Sequence, residues 1–123
     1  MRMWTMLLSA LAGLMGAAGV GLAAAAAHIS GEPTLATAAN FLLFHAAALL
    51  ALTLGTRDIC HRGLIVAGLL IGIGSILFCG DLALRALAGI KLFPMAAPAG
   101  GMILIAGWLV CAVAAPYSLK PKE

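Results

Sequence analysis

MWTMLLSALAGLMGAAGVGLAAAAA, from Met3 to Ala27, is a run of 25 residues between Arg2 and His28 without one charge. Three more runs follow: 24 residues between Glu32 and Arg57, 18 between Arg62 and Asp81, and 28 between Lys91 and Lys120. A helix rises 1.5 Å per residue, so about 20 apolar residues cross a hydrocarbon core of roughly 30 Å. A soluble fold would need far more polar surface than 9% charged residues can supply. The sequence therefore predicts an all-α protein, a transmembrane four-helix bundle. Helices joined by short loops are antiparallel neighbours, which makes the bundle up-down-up-down.

The punctuation predicts helices over about 4–27, 34–54, 63–88 and 98–115 within a single integral membrane domain, 1–123. Gly31 and Pro33 break the first two apart, and Gly55 and Gly89 close the second and third. Pro116 is expected to stop the last helix, leaving a span of only about 17 residues, near the minimum. The first run is longer than the core of a signal sequence and reads as a retained helix.

The net charge of +3 comes from basic residues scattered at helix ends, which indicates interface anchoring and topology, not a nucleic-acid partner. Arg2, Arg57, Arg62, Lys120 and Lys122 fall on one side and Arg85 and Lys91 on the other, so both termini and the middle loop are expected in the cytoplasm. Membrane lipids are the expected surroundings, with a homo-oligomer or a larger membrane complex as the protein partner. Cys60, Cys79 and Cys111 are far apart and form no CxxC, so they read as small hydrophobes.

Small residues mark the packing faces. Gly13, Gly16, Ala17, Gly19 and Gly21 let neighbouring backbones approach the first helix. This helix is therefore expected at the centre of the bundle. Gly68, Gly72, Ser75 and Cys79 recur at spacings of four, three and four, forming one stripe on the third helix.

Ionisable residues inside a membrane are costly and so are functional candidates. His45 stands mid-span in the second helix and is expected uncharged. Ser75 lies at similar depth and is its expected hydrogen-bond partner. The site can be read as a proton relay or ligand contact, or as a tie fixing helix register, which is the favoured reading. Asp81 and Arg85, four residues apart, should pair on one face of the third helix. They either form an outward-facing polar vestibule with His28, Glu32 and Lys91 or a solvated, self-paired helix end, the latter favoured. His28 and His45 are separated by roughly 20 Å along the membrane normal, too far to share one iron. The six methionines are ordinary apolar filler. No cofactor, metal or catalytic residue is expected, and nothing in the sequence supports an enzyme.

GAAGVGLAAAAAH (Gly16 to His28), NFLLFHAAALLAL (Asn40 to Leu52), GSILFCGDLALRALAG (Gly74 to Gly89) and PAGGMILIAGWL (Pro98 to Leu109) together resemble, in order, the four helix phrases of the small bacterial membrane proteins of the YgdD/YwdK type. The resemblance spans nearly the whole chain and implies a four-span inner-membrane protein with no assigned biochemical activity. Two departures stand out. Relatives tend to read Gly-Ala-Phe-Gly-Ala-His-Gly in the first helix; here alanines replace the Phe and Gly, and Ile29 follows His28. Asp81 occupies the place of a small hydroxyl residue. The sequence thus favours a structural or accessory bundle. The alternative is a small oligomeric transporter or channel with a polar path through His45 and Asp81.

Overall fold

A computed structural model describes residues 2–29, 32–55 and 61–120. Gly31, the polar loop at 56–60 with Arg57 and Cys60, and Lys122 lie outside the described residues. Four helices follow one another: α1 (Arg2–His28), α2 (Pro33–Gly55), α3 (Arg62–Ala88) and α4 (Ala96–Ser118). All four are long and apolar enough to cross a membrane.

The antiparallel order is written in the side-chain pairings. Ser9 meets Thr53 and Gly19 meets Leu43 across α1 and α2. Leu49 lies beside Gly68 and Gly72, and the Phe41 and Phe78 rings meet at a tilt, across α2 and α3. Gly63 faces Ala114 and Gly74 faces Gly100 across α3 and α4. In each pair one number rises as the other falls, so successive helices run in opposite directions.

The closest packing joins α3 to α4 and α1 to α2, and α2 with α3 links the two hairpins. The α1 helix only grazes α3, and among the described residues α1 and α4 have no backbone approach. The centre of the bundle is thus α2 and α3, not α1, correcting the expectation from helix 1's glycines. A small residue permits close approach but does not create a neighbour. Gly13 and Gly21 have nothing within 4 Å of where a Cβ would stand, and both are exposed. Gly16 only touches Ala46 at 4.0 Å. The packing expected of Gly13 is made instead by Gly19, where a Cβ would come within 2.7 Å of Leu43.

The core holds Leu8, Ala12 and Met15 of α1, Leu42 and Leu49 of α2, and Ile71 and Cys79 of α3. The Gly68–Gly72–Ser75–Cys79 stripe is buried, with Leu8 and Leu11 of α1 against its glycines. A second glycine contact is closer. A Cβ at Gly100 would come within 2.5 Å of the Phe78 amide nitrogen, and one at Gly74 within 2.9 Å of the Gly100 carbonyl. Only glycine on both sides lets these backbones touch.

The last helix continues through Pro116 to Ser118, a correction to the expected stop. Pro116 lies in the final turn, so its missing N–H removes one hydrogen bond close to an end where carbonyls are already losing partners. Its 23 residues rise about 34 Å, so α4 is a span of ordinary length.

Candidate functional site

Among the described residues, two of the buried polar side chains, His45 and Asp81, tie elements together from within the helices. The first is His45, buried on α2. Its Nε2 lies 3.2 Å from Trp108 Nε1 of α4, and its Nδ1 lies 2.6 Å from the Phe41 carbonyl one turn back. An indole N–H can only donate, so Nε2 must accept. That places the imidazole proton on Nδ1, donated to Phe41, and leaves the ring neutral with both nitrogens satisfied. The Trp108 ring stands edge-on at 6.1 Å, and Phe41 is stacked at 5.8 Å. This contact is the bridge between α2 and α4, whose backbones do not approach each other.

Ser75 is therefore not the partner of His45, which corrects the pairing argued from depth. Equal depth is not equal azimuth. The imidazole turns toward α4, whereas Ser75 sits on the α3 stripe whose glycines meet α1. Ser75 is fully buried, and among the described residues its Oγ has no hydrogen-bond partner.

The second centre is Asp81, also fully buried. Its Oδ2 accepts from Arg85 Nε at 2.8 Å and pairs with Nη2 at 2.7 Å, a two-pronged contact. Its Oδ1 accepts from the Leu92 amide at 2.8 Å, and the Ala97 amide also donates to this carboxylate. Leu92 belongs to the connection after α3, and Ala97 to the first turn of α4. Met95, which precedes α4, has a left-handed backbone (φ 68°) and makes no side-chain cap. Asp81 supplies that function from the neighbouring helix, where a negative charge suits the exposed amides and the helix dipole. One carboxylate thus fastens the end of α3, the loop and the start of α4.

This arrangement corrects both readings of the Asp81 end. The pair exists, but Asp81 is covered rather than solvated. Nor does it open into a vestibule. His28 and Lys91 are exposed, and among the described residues neither they nor Glu32 bond to Asp81. Thr37 spends its hydroxyl on the Pro33 carbonyl, and Asn40 is exposed.

Three features escaped sequence reasoning. Ser9 Oγ and Thr53 Oγ1 lie 3.2 Å apart between α1 and α2, a pair that lone hydroxyls do not announce. The Trp108 partnership left no local trace, because Trp108 stands mid-helix on α4, 63 positions from His45 in the chain. The Gly74–Gly100–Gly107 seam had a usable trace: Gly100 and Gly107 are seven residues apart, two turns on one face.

The family comparison matches residues 15–101 to a model described as a protein of unknown function, DUF423. The chain belongs to the DUF423 family. The match covers the second half of α1, all of α2 and α3, and the start of α4, so the His45 and Asp81 centres both lie within it while Trp108 lies beyond. No solved structure matches the chain. This DUF423 member is a multi-pass helical membrane protein of uncharacterised function.

Proposed function

We propose that this DUF423 protein is a structural or accessory bundle of the inner membrane, a non-catalytic companion of a larger membrane complex. It is of the YgdD/YwdK type, with both termini and the middle loop in the cytoplasm. The observation that carries this reading is the use to which its intramembrane polar groups are put. His45 spends both ring nitrogens on Phe41 and Trp108, and Asp81 spends both oxygens on Arg85, Leu92 and Ala97. Groups that relay ions exchange partners with water or cargo along a path; these join one helix to the next. The basic-residue asymmetry supports the orientation.

A native-detergent pull-down with mass measurement tests the accessory role, and a stoichiometric larger partner is the expected result. Isolation as a homo-oligomer alone, with proton flux in vesicles that disappears in His45→Leu, would replace it with the transport reading. For orientation, a reporter fused after Glu123 should read cytoplasmic; a periplasmic reading overturns that part.

A further inference from the structure

The outer side of α2 carries a polar side chain that the bundle leaves unused. Asn40 is exposed, and among the described residues no group bonds its carboxamide. Thr37, one turn nearer the start of α2, settles its hydroxyl on the Pro33 carbonyl. Asn40 makes no such return bond. The hollow beside it toward α1 is otherwise lined by alanines, Ala23, Ala26, Ala27, Ala36 and Ala39, so α1 offers its side chain no partner.

Depth makes this costly. The 23 residues of α2 rise about 34 Å, against a hydrocarbon core of roughly 30 Å. Asn40 stands seven residues after Pro33, which puts it roughly 8 Å inside the hydrocarbon. A short carboxamide cannot snorkel that far as lysine and arginine do, and the ester oxygens of the lipids stay at the edge of the core. An amide with no partner at that depth is strongly unfavourable, so its partner comes from outside the chain.

Two features select that partner. A carboxamide carries both donor and acceptor, so it is complementary to itself. The uneven basic residues give every copy one orientation, and the same residue in two copies then lies at the same depth. Across a twofold axis along the membrane normal, Asn40 meets Asn40 in two reciprocal hydrogen bonds. The rest of the face permits the approach. Ala36, Asn40, Ala47 and Ala51 follow at spacings of four, seven and four, all exposed, and small residues let helices close on one another in lipid. Phe44, 72% exposed, is the large side chain among them, and the facing alanines give its ring a place to lie.

We propose that two copies of this chain pair through the exposed face of α2, joined by reciprocal Asn40 hydrogen bonds. The pairing is independent of the accessory role, because it needs only this chain and leaves the other faces open to a larger complex.

The test labels the purified chain after Glu123 with donor or acceptor fluorophores and reads energy transfer in detergent micelles as the protein-to-detergent ratio changes. Wild type should form a concentration-dependent pair, with transfer rising linearly with acceptor fraction. Asn40→Ala should weaken it about threefold to twentyfold, the range of an intramembrane hydrogen bond. Ala47→Phe keeps the amide but holds the helices apart; it should weaken the pair too, and it stands in should Asn40→Ala fold poorly. Gly13→Leu, on the open face of α1, should leave the pair unchanged. A wild type that stays monomeric throughout overturns the proposal, as does a dimer unaffected by Asn40→Ala or one lost in Gly13→Leu. So does a larger partner from native membranes that Asn40→Ala releases while the purified chain stays monomeric, which would give the face to another protein.

Discussion

The two sides of α3 are built on opposite plans. Toward α4, backbone meets backbone at Gly74 and Gly100, and Gly107 lies so near Ile71 that a Cβ would stand 3.2 Å from its amide nitrogen. The same seam is clamped by Asp81 where α3 ends and α4 begins. Toward α1, the neighbours of Gly68 and Gly72 are the ends of leucine side chains, Leu8 Cδ1 at 3.0 Å and Leu11 Cδ2 at 2.8 Å from a would-be Cβ. There the helices stand further apart, and above Gly72 they part enough to leave a groove. Glycine serves both faces, yet only where it opposes another backbone does it dictate the fit. A leucine terminus can swing aside, and a peptide plane cannot.

The comparison can be broken most forcefully at Asp81. Asp81→Ala leaves the Leu92 and Ala97 amides without their acceptor at the start of α4 and frees the exposed Arg85 guanidinium, and a buried donor left unmet costs about 1–3 kcal/mol. It should lower the detergent melting temperature more than any single glycine replacement does. Asp81→Asn, which keeps acceptors for the amides, should fall in between. Unchanged melting in Asp81→Ala would mean that the α3–α4 seam stands without its clamp.

The glycines sharpen the contrast. Gly100→Ala should cost about 1–3 kcal/mol by forcing two backbones apart. Gly72→Ala should cost clearly less, as Leu11 turns away. Gly13→Ala, beside open space, should stabilise α1 by about 0.5–1 kcal/mol through helix propensity alone. Urea or thermal unfolding in a single detergent ranks the three, and equal costs at Gly100 and Gly72 would erase the distinction between the faces.

The smallest expected effect is at His45. A leucine there, or phenylalanine at Trp108, removes one interhelical hydrogen bond worth about 0.6 kcal/mol on average in membranes. A double-mutant cycle between the two positions should return a coupling of that order. Zero coupling would show that α2 and α4 are held by apolar contact alone.

Charge-free length was enough to specify four helices and their alternating direction, because the cost of exposing backbone or charge to hydrocarbon depends on composition and not on neighbours. The Asp81–Arg85 pair was equally legible, since an i, i+4 spacing brings two side chains together on any helix. Rotation of one helix against another was not. Small residues line more than one side of α1 and α3, and nothing in their order separates Gly13 from Gly19 or Gly72 from Gly74. Which of them meets a backbone, which a leucine and which nothing depends on how α2 and α3 turn their faces in the assembled bundle. The partner of His45 was decided in the same way. Depth along the helix could be counted and pointed to Ser75, but azimuth comes from packing, which gave the imidazole to Trp108 and left the Ser75 hydroxyl buried without a hydrogen-bond partner among the described residues. Asp81 shows the same division: its bond to Arg85 is local, while its hold on Leu92 and Ala97 exists only because α4 folds back to present its first turn to α3.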